Sequence, residues 1–213
     1  MTFLELCQRV RQESGISGDG PVSVLNQKSI LEKVVQWVKQ ADLDIQRLQN
    51  DWLFMWRMGS VPLTQDIREY DAVSLMLTGM RALQSLDING ETIQPYTWEQ
   101  FKCKGYAQDD KKGKPTAYTV KPNGLIVFYP TPDQDYTATA EYSLAAQALI
   151  NDTDNSLIPV EYHDIILHKA LMYYASHEED NSLYQVSAAR YETVLSELAS
   201  NFLPRINFAG GIA

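Results

Sequence analysis

The chain has 213 residues, 45% hydrophobic and 21% charged, which is enough for a full core and ordinary for a soluble globular protein. Its formal net charge of −9 argues against a nucleic-acid binder, because affinity for phosphates comes from Lys and Arg. Apolar runs reach only a few residues, so no membrane span is expected, and Met1 to Glu5 lacks the basic start of a signal peptide. Cys7 and Cys103 fit no metal or redox spacing and point to a reducing compartment.

In chain order, Thr2 to Glu13 predicts a short helix with Phe3, Leu6, Cys7 and Val10 on one face, followed by a glycine-rich loop from Gly15 to Pro21. That loop lacks the Gly-x-x-x-x-Gly-Lys-Ser/Thr spacing of a phosphate cradle. Asn26 to Trp52 predicts the longest helix: Ile30, Val34, Trp37, Val38, Ala41, Ile45, Leu48 and Trp52 keep helical spacing, and Asn26 stands where an N-cap would. From about Leu53 the aromatic alternation predicts a strand, while Thr64 to Met80 carries only weak periodicity. Arg81 to Ile88 predicts a strand, turned by Asn89-Gly90 into a return strand at Glu91 to Pro95, with a helical turn at Tyr96 to Gln100.

Asp109 and Asp110 precede Lys111-Lys112-Gly113-Lys114, which reads as a hairpin tip. Lys114–Val120, Gly124–Tyr129 and Tyr136–Ser143 predict three further strands, joined by turns at Pro122 to Gly124 and Pro130 to Asp135. In the last strand Tyr136, Ala138, Ala140 and Tyr142 alternate with Thr137, Thr139, Glu141 and Ser143, so one face is expected inside. Pro159 then opens a helical pattern through Tyr162, Ile166, Ala170, Tyr173 and Tyr174. A polar turn at Glu178 to Asn181 leads into a second pattern of Tyr184, Ala188, Tyr191, Leu195, Leu198 and Phe202, stopped by Pro204.

These elements predict an α+β fold: a mainly α-helical bundle built from both chain ends (1–52 and 144–203), an inserted antiparallel β-sheet region (53–143), and an extended tail (204–213).

No catalytic set, cofactor signature or metal site emerges, so no enzyme is expected. His163 and His168 are five residues apart and do not share a helix face, and each histidine reads as a surface or satisfied side chain. Asp152-Thr153-Asp154-Asn155 begins like a calcium loop but lacks its glycine, and His163 stands where the closing glutamate would. Trp52, Trp56, Tyr129 and Tyr142 could stack sugars or bases, but their spacing suits a core. The tail is more apolar at Ile206, Phe208 and Ile212 than a solvated end needs, which suits a peptide that docks on a partner.

The order of these pieces resembles a known family. It rests on Phe3-Leu4-Glu5-Leu6-Cys7-Gln8-Arg9, Gly15-Ile16-Ser17-Gly18, Asp44-Ile45-Gln46 and Asp51-Trp52. It continues through Gly113-Lys114-Pro115, Tyr118, Phe128-Tyr129-Pro130-Thr131-Pro132-Asp133, Ile158-Pro159, Tyr162-His163-Asp164, Ala170-Leu171 and Tyr174-Ala175. Together they resemble the head-to-tail adaptor (gatekeeper) proteins of tailed bacteriophages over nearly the whole chain.

The resemblance implies a structural virion protein at the head–tail interface, made in the bacterial host cytoplasm. It would form a homo-oligomeric ring, commonly of twelve copies, joining the phage portal protein to a tail nozzle or tail protein. DNA would pass through the centre without specific binding, and the negative charge suits a lumen that repels its backbone. The resemblance also implies that the hairpin and tail dock on the portal, through Leu203, Pro204, Arg205, Ile206, Asn207, Phe208 and Ile212. The alternatives are a tail-associated cell-wall glycan hydrolase with paired carboxylates in the β region, or a tail-completion subunit.

Overall fold

The computed structural model describes residues 1–204, which divide into a unit of Met1–Met55 with the chain from Ala146 on, and a unit of Trp56–Ala145. The first half runs α1 (Phe3–Glu13), α2 (Ser29–Leu48), β1 (Trp56–Leu63), β2 (Glu69–Tyr70), β3 (Met80–Ile88), β4 (Glu91–Thr92), β5 (Gln94–Tyr96) and α3 (Trp98–Cys103). The second half runs β6 (Ala117–Val120), β7 (Ile126–Tyr129), β8 (Tyr136–Leu144), α4 (Asp164–Glu178) and α5 (Asn181–Phe202). The class is α+β, with helices at both ends and sheet inserted between them.

The helical unit is organised around α4. Ile165, Ile166, Leu167 and His168 are buried in succession, so over this stretch the helix needs cover on every side. It is covered by α1, α2 and α5 together. Helix α1 buries Phe3, Leu6, Cys7 and Val10, and Thr2 and Glu5 close a reciprocal capping box at its start. Its next two amides, Phe3 N and Leu4 N, donate to the carbonyls of Asp154 (2.8 Å) and Asp152 (3.2 Å). Side chains tie α2 to α4: the Tyr173 hydroxyl donates to Asp44, and the rings of Trp37 and Tyr174 meet edge-on at 5.9 Å.

Several boundaries differ from the sequence reading. Asn26 is no N-cap: its φ of 56° is left-handed, and α2 starts two residues past Gln27 with no side-chain cap on Lys28. Helix α2 stops at Leu48 because Gln49 is extended, yet Trp52 still reaches the core. Its indole N–H donates to the Ile45 carbonyl at 3.0 Å, satisfying one of the last four carbonyls of the helix. A 3₁₀ turn at Leu53–Met55 intervenes before β1, so the strand begins at Trp56. Pro159 opens a 3₁₀ turn at Val160–Tyr162, and α4 proper starts at Asp164. Helix α5 buries Ser187, Tyr191 and Leu198, but Tyr184 is 40% exposed and Leu195 and Phe202 are half-buried.

The inserted unit contains two four-stranded sheets, ordered β1-β8-β3-β4 and β2-β7-β6-β5, in place of the single antiparallel sheet that the sequence suggests. Strand β8 is central in the first and pairs antiparallel with β1 along eight residues, from Trp56–Ser143 to Leu63–Tyr136. Ala138, Ala140 and Tyr142 lie inside as the alternation predicts, while Ser143 is buried as well.

The predicted return strand at Glu91 to Pro95 is split. Glu91–Thr92 pairs back on β3, whereas Gln94–Tyr96 joins the second sheet in parallel with β6. Pro95 has no N–H to give to a second neighbour, which suits the edge that β5 occupies. Likewise β7 and β8 belong to different sheets, so Pro130 to Asp135 carries the chain from one sheet to the other. Lys111 to Gly113 is no hairpin tip: its backbone bonds to Thr131 on both sides.

One contrast tests this account of α5. Replacing Leu198, fully buried, by Ala should cost about 2–5 kcal/mol in a urea melt. Replacing Val186, 50% exposed on the same helix, by Ser should stay within about 0.5 kcal/mol. Equal losses at the two positions would contradict it.

Candidate functional site

Four aromatic rings meet at the end of α5, the last helix before residues 205–213. Phe202 meets Tyr162 at 5.8 Å and Phe54 at 5.9 Å, both edge-on, and Phe54 stacks on buried Trp52 at 5.2 Å. Asn201 donates to the Tyr162 hydroxyl at 2.8 Å. The last turn of α5 is thereby fixed to the segment after α2 and to the turn before α4. Leu203 follows in extended conformation, its N–H held by the Ala199 carbonyl. Of the tail residues singled out by the sequence, Leu203 is half-buried and Pro204 exposed. Arg205, Ile206, Asn207, Phe208 and Ile212 lie outside the described residues.

A second feature fastens the chain where it returns from the sheets. Gln46 accepts the Gln147 N–H at 2.9 Å and donates back to the Gln147 carbonyl at 3.1 Å. The same amide donates to buried Asp42 at 2.7 Å, and the Ser156 hydroxyl donates to the other Asp42 oxygen at 2.5 Å. These two hydrogen bonds favour the carboxylate, but burial outweighs them and pushes the Asp42 carboxyl up to about 6. Neither Asp42 nor Gln46 stands out in sequence, because both occupy positions that a helical period assigns to the core.

The three histidines sit in different settings. His163 is buried; its Nε2–H donates to the Ile158 carbonyl at 2.9 Å, leaving Nδ1 to accept from the Met1 nitrogen at 3.0 Å. Burial keeps His163 and His168 below the ordinary imidazole range. His168 is 8% exposed and its Nδ1 has no partner. His177 is exposed beside the Lys33 ammonium (2.8 Å) and the Trp37 ring (5.6 Å).

Asp152 to Asn155 serves the fold: the Asp152 carboxylate accepts from Val24 N (2.6 Å) and Ser23 Oγ (3.1 Å), while the backbone caps α1. No group of three His, Cys, Asp or Glu among the described residues could hold a metal ion. Cys7 is buried and its thiol pushed up to about 12, chiefly by that burial, which disfavours the thiolate. Cys7 and Cys103 are both free thiols. Of the aromatic residues considered for stacking, Trp52, Tyr129 and Tyr142 are buried.

The Asp42 arrangement makes a pH prediction. A carboxyl raised from 3.8 to about 6 by folding contributes stability that is complete below 3.8 and lost as pH rises through 6. Between about pH 7.5 and about pH 5 the wild type should therefore gain about 1 kcal/mol relative to Asp42→Asn. Parallel pH profiles in thermal melts would contradict it.

A search of curated proteins finds no match to this chain. A family model described as the SU10 adaptor protein matches residues 1–205, nearly the full length and both units described above. The chain belongs to the SU10 adaptor protein family and is a bacteriophage adaptor protein.

Proposed function

We propose that this adaptor is a structural subunit of a ring, twelve copies in the arrangement typical of head-to-tail adaptors. The ring joins the portal to a tail nozzle or tail protein and leaves a channel for DNA. The observation that carries this reading is the set of ring contacts at the end of α5. The aromatic contacts of Phe202 with Tyr162 and Phe54 hold the last helical turn, and the chain beyond it reads Arg205-Ile206-Asn207-Phe208. A short apolar peptide carried on a rigid helix pays less ordering entropy on docking than a peptide on a loose end.

Charge supports the channel. By sequence, Met1–Met55 with Ala146–Ala213 carries 16 carboxylates against nine Lys and Arg, so most of the net −9 resides in the helical unit. A negative wall lowers the residence of the DNA backbone and lets the genome slide. The role is mechanical, and the subunit works without turnover.

Deleting Pro204–Ala213 should leave the melting temperature and circular dichroism unchanged and abolish binding to the portal protein of the same phage. A truncated protein that binds that portal with unchanged affinity would overturn the docking role of the tail.

A further inference from the structure

The inserted unit holds the positive counterpart to the acidic helices. From Trp98 to Lys121 the sequence carries six lysines against Glu99, Asp109 and Asp110, in a chain of net charge −9. Three of these lysines are already paired with carboxylates: Lys112 with Asp66, Lys114 with Glu91 and Lys121 with Glu69, each at 2.5 Å.

Lys102 and Lys104, both exposed on and just after α3, are held by rings. The Lys102 ammonium lies 5.5 Å from the centre of half-buried Trp98, with that of Lys121 at 5.3 Å from the same ring. The Lys104 ammonium lies 5.1 Å from Tyr96 and 6.0 Å from Tyr106. Tyr106 is itself fixed by stacking on Tyr129 at 4.0 Å. Lysine heads placed by aromatic faces lose less rotamer entropy when they meet an anion than free ones do.

The hairpin Pro159–Pro204 has the opposite sign, with seven carboxylates against Lys169 and Arg190. Its turn places Glu178, Glu179 and Asp180 together, all exposed. Beside them an open depression is lined by Ala175, Ser176, Glu179, Asn181 and Tyr184, the last with 40% of its surface exposed.

A closed ring of identical subunits is built from a heterologous interface, in which two different patches of one chain meet. Opposite charge on those patches steers their encounter and rejects like-with-like pairing. We propose that the Trp98–Lys102–Lys104 platform receives the acidic α4–α5 turn of a second copy of this chain. The inference rests on the ring reading above and supplies its subunit contact. The lysine heads lie opposite Glu178 and Glu179, and Trp98 is the apolar anchor at the rim of the depression.

The test mixes the full-length chain with its portal and counts assembled copies by sedimentation and negative-stain electron microscopy. Lys102→Glu with Lys104→Glu should weaken assembly about tenfold or more, and adding Glu178→Lys with Glu179→Lys should restore it. Wild-type assembly should also weaken as salt is raised. If the wild type forms no multi-copy assembly, the ring reading fails and this contact with it. If the wild type assembles and the lysine variant assembles equally, the ring stands and this contact is wrong. Loss without restoration by the charge swap overturns the pairing. A lysine variant that keeps assembly but loses duplex-DNA binding at low salt would assign the platform to nucleic acid instead.

Discussion

Helix α4 sets the terms for the rest of the helical unit. Four consecutive buried residues, Ile165 to His168, enclose the N-terminal half of this helix on all sides. Its cover comes from α5, which follows it, and from α1 and α2, which lie more than a hundred residues earlier. The two ends of the chain must therefore meet, and whatever lies between them is an insertion with its own pairing and its own core. The hydrophobic demand of one helix fixes the two-unit organisation. Each large side chain so buried contributes roughly 1.5–3 kcal/mol, well above any surface ion pair in the unit. The Arg9–Asp164 pair, at 2.5 Å but 37% and 45% exposed, adds orientation more than stability.

Polar groups then set the places where the chain leaves and re-enters this bundle. On leaving, Trp52 returns its indole N–H to the Ile45 carbonyl; on re-entering, Gln147 is gripped by the Gln46 amide. Both fastenings use the last turns of α2, where backbone carbonyls lack helical partners and a buried amide must find its own. Asp42 is part of the cost, a carboxylate in an apolar setting held by two hydrogen bonds. The same region holds the last turn of α5, since Trp52 stacks on Phe54 and Phe54 meets Phe202 edge-on. Two ring contacts, one stacked and one edge-on, thus link the segment after α2 to the last turn of α5.

Helical periodicity made α1, α2 and the hairpin legible in the sequence, whereas the Thr2–Glu5 capping box of α1 emerged only in the structure. Helix ends were less legible, because they turn on single contacts that no period encodes. Trp52 keeps the spacing of α2 but stands beyond its end, and Asn26 is an N-cap residue type in a left-handed conformation. Strand positions were readable from alternation, but their partners were not: alternation reports which face is buried and says nothing of the neighbour. Hence Gln94–Tyr96 pairs with Ala117–Thr119 in a second sheet, although Asn89-Gly90 signals only a local hairpin. Of the candidate site, the apolar tail was visible, whereas the rings that meet at the end of α5 come from three separate stretches of chain and converge only in the fold.

Family membership, the acidic helical unit and the ring contacts at the end of α5 are the observations behind the proposed docking role. The most direct measurement is a cryo-electron-microscopy reconstruction of this chain bound to the portal of the same phage. The account predicts a closed ring of adaptor subunits on the portal, each with residues 205–213 buried against portal surface. A reconstruction with the tails in solvent, or with single adaptor subunits bound by their sheet unit alone, would contradict it.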